Sequence, residues 1–215
     1  MGVNRNRAYW NNRFSKEGKI WGDSPSKSAL YALKLFKKYD IQKVLVPGSG
    51  YGRHTKLYSD NEYEVVGIEI SKIAIEMANA YNPQASFINR SVLEMDTIDD
   101  YFDAIYCFNV LHLFLFNKRQ KFLKQCYNRL NAGGFVFFTV FSEEEPSYGR
   151  GKELEKNTFE SKLSRPTHYF FKEDLINHFN EYKIIETDII KEQENHGERG
   201  QHTHILRYLF GQKVN

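Results

Sequence analysis

The sequence predicts an α/β fold: a Rossmann-like three-layer sandwich around a mostly parallel, seven-stranded sheet, with one antiparallel strand in a C-terminal hairpin. Three observations carry that expectation. Val44-Leu45-Val46-Pro47 runs into Gly48-Ser49-Gly50-Tyr51-Gly52, and a helix-like segment leads from there to Val65-Val66-Gly67-Ile68-Glu69-Ile70. This order of strand, glycine turn, helix, strand and acid is the first half of a nucleotide-type binding unit. Further strand-like and helix-like segments then alternate along the chain. The last two strand-like runs flank His196-Gly197-Glu198-Arg199-Gly200, a turn that suggests an antiparallel hairpin.

Each element has a local reason. Residues 1–23 read as an N-terminal arm carrying Tyr9, Trp10, Phe14 and Trp21. Ser24-Pro25 offers a cap and a first-turn proline, and Ala29, Leu30, Leu33 and Phe36 follow at helical spacing. Strand one is Lys43 to Pro47, and the helix after the glycines is Arg53 to Ser59. Strand two spans Tyr63 to Ile70, after which Ser71 caps a helix whose Ala74, Met77, Ala78 and Tyr81 face inward. Ala85 to Ile88 is a short third strand and Phe102 to Asn109 the fourth. Asn117 to Leu130 is helical, with Phe122, Leu123, Cys126 and Leu130 on one side. Gly133-Gly134 breaks into Phe135 to Phe141, an apolar run typical of a strand buried on both faces. Residues 142–170 form a long polar insertion, of the kind that is usually functional or mobile. A helix from Lys172 to Phe179 and strands from Tyr182 to Gln193 and His202 to Gln212 complete the chain.

Length and composition narrow the classes. At 215 residues the chain suits one well-cored domain, expected to span 1–215. Cys107 and Cys126 lack metal-type spacing and read as buried thiols of a reducing compartment. No apolar run approaches transmembrane length and the N-terminus lacks a signal-peptide core, so a cytoplasmic protein without a membrane partner is expected. The net charge of +3 is mildly basic. Its lysines and arginines, as in Lys34, Lys37 and Lys38 or Lys118, Arg119, Lys121 and Lys124, are spaced as solvated helix faces. No nucleic-acid motif accompanies them, and no nucleic-acid partner is expected. Oligomeric state is not written in these residues.

Glycines let the backbone turn sharply and let a ligand approach it closely. N–H groups at the following helix start can meet polar ligand groups. Glu69, at the carboxyl end of strand two, is placed to accept both hydroxyls of a ribose. A dinucleotide fingerprint G-x-G-x-x-G would need glycine at position 53, where Arg53 stands, which argues against a nicotinamide-dependent oxidoreductase.

The spacing G-x-G-x-G at Gly48, Gly50 and Gly52 resembles the first motif of class I S-adenosylmethionine-dependent methyltransferases. In that family the loop wraps the methionine end of the cofactor, which implies S-adenosyl-L-methionine here and cofactor contacts from Gly48, Ser49, Gly50, Glu69 and Ile70. Val46-Pro47 stands where most members carry an aspartate. This, joined to Tyr9-Trp10-Asn11-Asn12-Arg13-Phe14, Ile20-Trp21-Gly22 and Ser24-Pro25, is similar to the thiopurine, thiol and tellurite-resistance methyltransferases. The resemblance covers most of residues 8–141. It implies that the arm folds over the cofactor, with Trp10, Phe14 and Trp21 in that role; aromatic faces suit a sulfonium cation. The other reading of these rings is as hydrophobic plugs.

After strand three, Ser91 stands where the family often has the aspartate that reads adenine. Its hydroxyl and the Val92 amide can supply an acceptor and a donor, and Ser91 can equally cap a turn. Asn109-Val110-Leu111-His112 follows strand four, so by the rule for open sheets it lines the pocket. Asn109 is a cofactor candidate, and His112 a substrate-binding or basic group or a structurally satisfied histidine. The segment is not Asn-Pro-Pro-Tyr, which argues against methylation of nucleobase amines. Arg165 and His168, in the insertion, are candidates for holding a small polar or anionic acceptor. His202 and His204 share a strand face near His196 and Glu198, and His202 is a further substrate candidate; no strong metal spacing occurs and no metal is expected.

The expected function is therefore methyl transfer to a small molecule, possibly a thiol or chalcogen oxyanion, with no catalytic side chain identified. Methylation of an oxygen or nitrogen acceptor on a metabolite or macromolecule, a nicotinamide-dependent oxidoreductase and a cofactor-binding relative without turnover are the alternatives.

Overall fold

The computed structural model describes residues 3–195 and 200–214. The turn holding His196 and Glu198 lies outside the described residues. In chain order the strands are β1 (Lys43–Pro47), β2 (Glu64–Glu69), β3 (Ser86–Asn89), β4 (Phe102–Phe108), β5 (Leu130–Phe141), β6 (Lys152–Glu155), β7 (Thr158–Lys162), β8 (Arg165–His168), β9 (Tyr182–Asn195) and β10 (Gln201–Lys213). The helices are α1 (Val3–Glu17), α2 (Lys27–Phe36), α3 (Arg53–Ser59), α4 (Lys72–Tyr81), α5 (Phe116–Arg129) and α6 (Lys172–His178). Seven strands form one sheet in the order β3-β2-β1-β4-β5-β10-β9. The β1–β2, β2–β3, β1–β4 and β4–β5 pairs are parallel, whereas β10 is antiparallel to both β5 and β9. The expected α/β sandwich with one antiparallel strand is the fold observed.

The sheet is buried on both sides because successive side chains point to opposite faces. On β4 and β5, Ile105, Cys107, Val136, Phe138 and Val140 join one core with Phe122 and Cys126 of α5 and Leu175 of α6. Ala104, Tyr106, Phe135 and Phe137 join the other with Ala29, Ala32 and Phe36 of α2 and Tyr58 of α3. The chain winds outward from β1 through β2 to β3, then crosses back to β4. That reversal puts a crevice at the carboxyl ends of β1 and β4.

Several local expectations are corrected. The arm is a 15-residue helix, α1, closed where Gly18 adopts a φ of +60° and its N–H reaches Phe14 O at 3.0 Å. Its asparagines hide the helix from propensity; packing of Phe14 and Trp10 against Ala74, Ile73 and Met77 holds it. The cap of α2 is Ser26, whose Oγ accepts from Ala29 N at 3.2 Å, not Ser24. Gly133-Gly134 lies inside β5, which begins at Leu130 and bulges against β4 between Phe102 and Ala104. The 142–170 insertion contains its own antiparallel sheet, in the order β6-β7-β8. Asn157 and Ser164, each at a φ of 60°, make its two tight turns. Finally, Arg119 is not on a solvated face: it is buried, donating to Phe114 O at 2.7 Å and to His178 Nε2 at 3.1 Å.

Candidate active site

A cavity of about 330 Å³ opens at the β1/β4 crevice. The glycine loop forms its floor, with Gly48, Gly50 and Gly52 all at positive φ (71°, 55° and 90°). Close approach explains the first: a Cβ on Gly48 would lie 2.4 Å from Val110 Cγ2. The loop spends its own N–H groups inward. Gly48 and Ser49 donate to Ile68 O, Gly50 to Glu69 Oε2 and Gly52 to Ser49 O. These four donors are thus engaged with the protein rather than waiting for a ligand. Ser49 Oγ, by contrast, is buried on the cavity wall without a protein partner among the described residues.

Glu69 is buried at the end of β2. Its Oε2 accepts from Gly50 N at 3.0 Å and its Oε1 from Ser71 N at 2.8 Å, so the acid ties the glycine loop to the start of α4. Burial pushes its carboxyl up from the ordinary value, and the backbone N–H groups of Ser71, Gly50 and Ile70 oppose that. Each oxygen keeps lone-pair capacity toward the cavity, which Glu69 and Ile70 line. Asn89 Nδ2 supports the turn by donating to Glu69 O at 3.0 Å. Ser91 and Val92 line the cavity, and Ser91 Oγ also accepts from Leu93 N at 3.2 Å as a turn cap. Asn109 leaves β4 with a φ of 56°, held by Thr139: its N–H reaches Thr139 Oγ1, which donates to Asn109 Oδ1, both at 3.1 Å.

The arm closes one side. Trp10, Phe14 and Trp21 all line the cavity, and Trp21 stacks on Tyr51 at 6.2 Å and 17°. Tyr51 donates to Gly22 O at 2.6 Å and accepts from Trp21 N at 3.2 Å; burial pushes its hydroxyl up to about 12. The latch is Arg53, which the sequence marked only as a missing glycine. It is buried, pairs with Glu194 Oε1 of β9 at 2.8 Å and donates to Trp21 O at 3.0 Å. Two residues earlier on β9, buried Glu192 accepts from the N–H groups of Lys27 and Ser28, at 2.9 and 2.6 Å, at the start of α2. His54, also on the wall, is held uncharged by burial and by Arg53.

The opposite side is built from the β4–α5 turn, the end of β5, β8 and β10. His112 is buried and stacks on Phe141 at 4.2 Å and 19°. Arg165 lines the mouth and spans it, its guanidinium 4.4 Å from the ring centroid of Tyr9 on α1. Two expected residues are elsewhere. His168 points away from the cavity, between Thr158 Oγ1 and Asp174 Oδ2, each at 2.7 Å. His202 is exposed near the start of β10, opposite Glu194. In their place His204 faces the cavity, with Nδ1 3.0 Å from Glu145 Oε1. Burial lowers its pKa, but the hydrogen bond and charge of Glu145, with Glu194 and Glu192 nearby, raise it overall.

His168, Asp174 and His178 are the described residues that cluster as metal ligands would. Their donor atoms are already engaged. Arg119 donates to His178 Nε2, and the other ring nitrogen bonds Asp174 O at 2.8 Å. Burial raises the Asp174 carboxyl, yet hydrogen bonds from His168 and His178 outweigh it and hold the group well below its usual range. A cation facing Arg119 would be disfavoured, so the cluster is a hydrogen-bond network pinning α6 and β8 to α5.

Residues 45–138 match the family model described as a methyltransferase domain. No curated protein matches the chain by sequence. Among solved structures the chain is similar to the protein described under conversion of a disulfide bond into a thioacetal group during echinomycin biosynthesis, at 15% identity and a TM-score of 0.78, covering 97% of this chain and 93% of that one. It is similar to the 1,6-didemethyltoxoflavin-N1-methyltransferase of Burkholderia thailandensis, at 15% identity and TM-score 0.73, covering 100% and 92%. It is also similar to TehB of Haemophilus influenzae, at 16% identity and TM-score 0.67, covering 95% and 67%. The matched segment carries a methyltransferase domain, and the chain as a whole has the fold of S-adenosylmethionine-dependent methyltransferases.

Proposed function

We propose that this methyltransferase moves the methyl group of S-adenosylmethionine to a small, electron-rich acceptor, a thiol or a chalcogen oxyanion. We assign 1–215 to one domain of a cytoplasmic protein, with 1–23 as the lid over the cofactor and 142–170 as the acceptor-side cover. The single observation that carries this reading is the continuity of the cavity. The glycine loop, Glu69, Ser91, Val92 and Asn109 lie along one part of its wall, and His112, Arg165 and His204 along another.

The residues present fit the cofactor. Ser49 Oγ is a buried polar atom awaiting a partner, and a Cβ at Gly50 would reach toward Phe14 Cζ, 3.7 Å away, in space a ligand needs. Gly48, Ser49 and Gly50 would flank the methionine end, Glu69 the ribose hydroxyls, and Ile70, Ser91 and Val92 the adenine. Trp10, Phe14 and Trp21 would cover it, and Asn109 would sit at the junction with the acceptor. The cofactor supplies an electrophilic methyl on a sulfonium. The chain positions the acceptor in line with it and excludes water under the arm, which lowers the barrier by orientation and desolvation. Arg165 at the mouth favours an anion.

The test is methyl transfer from radiolabelled S-adenosylmethionine to small thiols, selenite, tellurite, catechols and aromatic amines. Labelled product from the thiols or chalcogen oxyanions is expected. Turnover confined to oxygen or nitrogen acceptors would replace the acceptor assigned here.

A further inference from the structure

Among the described residues, two buried polar atoms on the cavity wall have no protein partner: Ser49 Oγ and His112 Nδ1. Ser49 belongs to the glycine loop and so to the cofactor end. His112 lies on the other side, in the turn Leu111–Leu113 after β4, where the insertion and β10 converge. The ring is fixed: it is 3% exposed and its face lies on Phe141. Phe141 is in turn stacked on His204 at 5.2 Å and 22°.

The surroundings of His112 differ from those of its neighbours. His204 on β10 has Glu145 at 3.0 Å, and His168 on β8 has Asp174 at 2.7 Å. His112 has no carboxylate at hydrogen-bond distance among the described residues. The other charged groups on the cavity wall are Arg13 of α1, Glu69 of β2, Lys118 of α5, Arg165 of β8 and the Arg53–Glu194 pair, whose charges offset each other. A carboxylate commonly steadies the imidazolium of a histidine that takes a proton during catalysis, and none stands beside His112 among the described residues. Burial, and then the charges of His204 and His168, push its pKa down to about 3.

We propose that His112 is the acceptor-holding residue, an uncharged ring that hydrogen-bonds the methyl acceptor through its unpartnered edge and takes no proton from it. The inference rests on the methyltransferase reading and narrows its acceptor. The acceptor must arrive as an anion or as a neutral lone-pair donor, which suits a thiolate or chalcogen oxyanion and disfavours an unassisted alcohol. In the transfer, an acceptor lone pair forms the new bond to the methyl carbon. The electron pair of the broken carbon–sulfur bond stays on the cofactor sulfur. The acceptor's proton has already left to solvent, so none passes through His112.

The experiment uses the full chain labelled with ¹⁵N-histidine, saturated with S-adenosylhomocysteine, and 5-thio-2-nitrobenzoate as the thiolate probe. His112→Asn assigns the His112 ring signals. These are expected to keep the neutral pattern between about pH 5 and 8, and to shift when the thiolate is added. With S-adenosylmethionine, His112→Asn should raise KM for the thiolate by about tenfold, leave kcat within about threefold, and leave S-adenosylhomocysteine affinity unchanged. The pH dependence of kcat/KM should follow the thiol in both proteins. Protonation of His112 above about pH 6, no shift on adding the thiolate, or a large loss of kcat at constant KM would overturn the proposal. Binding of S-adenosylhomocysteine without turnover of any thiolate would remove the acceptor class. Failure of S-adenosylhomocysteine to bind would remove the methyltransferase reading itself.

Discussion

Glu69 shows how one side chain joins stability to ligand binding. Its two oxygens hold Gly50 and Ser71, so the same carboxylate shapes the glycine loop and starts α4. Hydrogen bonds to a charged group contribute about 1.5–3 kcal/mol each when one partner is removed. Glu69→Ala is therefore expected to lower S-adenosylhomocysteine affinity by at least about tenfold and to lower Tm, measured by calorimetry and thermal melting. Unchanged affinity would contradict the role given to the acid. Glu69 was legible in the sequence because its meaning lies in local order, a strand ending in an acid nineteen positions after the loop glycine it holds. Arg53 was not, since its partner Glu194 is 141 positions away and only the sheet brings them together. In the sequence His168 reads as a site residue and His204 does not, whereas His204 faces the cavity and His168 points away from it. Both sit among aromatic and polar residues, and the direction of each ring depends on strand register that the sequence does not state.

At the scale of elements, the cavity is closed by two pieces that the parallel sheet does not supply. Helix α1 and the β6-β7-β8 sheet meet across the mouth through Tyr9 and Arg165, and β9 extends far enough to hold α2 and the Trp21 segment through Glu192 and Glu194. Arg53 and Glu194 are both almost fully buried, so breaking the pair strands a charge. Arg53→Met is expected to cost about 3–5 kcal/mol of stability and to change Trp10 and Trp21 fluorescence as the arm loosens. The double variant Arg53→Met with Glu194→Met should recover much of the lost Tm. A single variant as stable as the parent would show that the pair does not latch the arm. The parallel core was readable because periodicity and glycine breaks track it. The insertion sheet was not, because Lys-Glu-Leu-Glu and Thr-Phe-Glu-Ser-Lys lack a sustained alternation of apolar and polar residues. Its signal lay in the turns at Asn157 and Ser164.

For the molecule as a whole, buried histidines set the response to acid. His54, His112 and His168 are each held below the ordinary histidine value, first by burial. Below about pH 6.5 the unfolded chain therefore binds more protons than the folded one, and each ring removes up to about 1.4 kcal/mol of stability per pH unit. His204 acts in the opposite sense: its contribution is full below the ordinary value and is lost as pH rises through its higher folded value. Three rings outweigh one, so Tm should fall steadily between about pH 7 and 5 in thermal melts; a flat profile would show these rings charged in the folded state. The central claim, that the crevice at β1 and β4 takes S-adenosylmethionine and not a dinucleotide, is tested most directly by calorimetric titration with S-adenosylhomocysteine, with NADH as the control. Saturable binding of the first, at about micromolar Kd, with no heat from the second is the expected result. Binding of NADH, or none by S-adenosylhomocysteine, would contradict it.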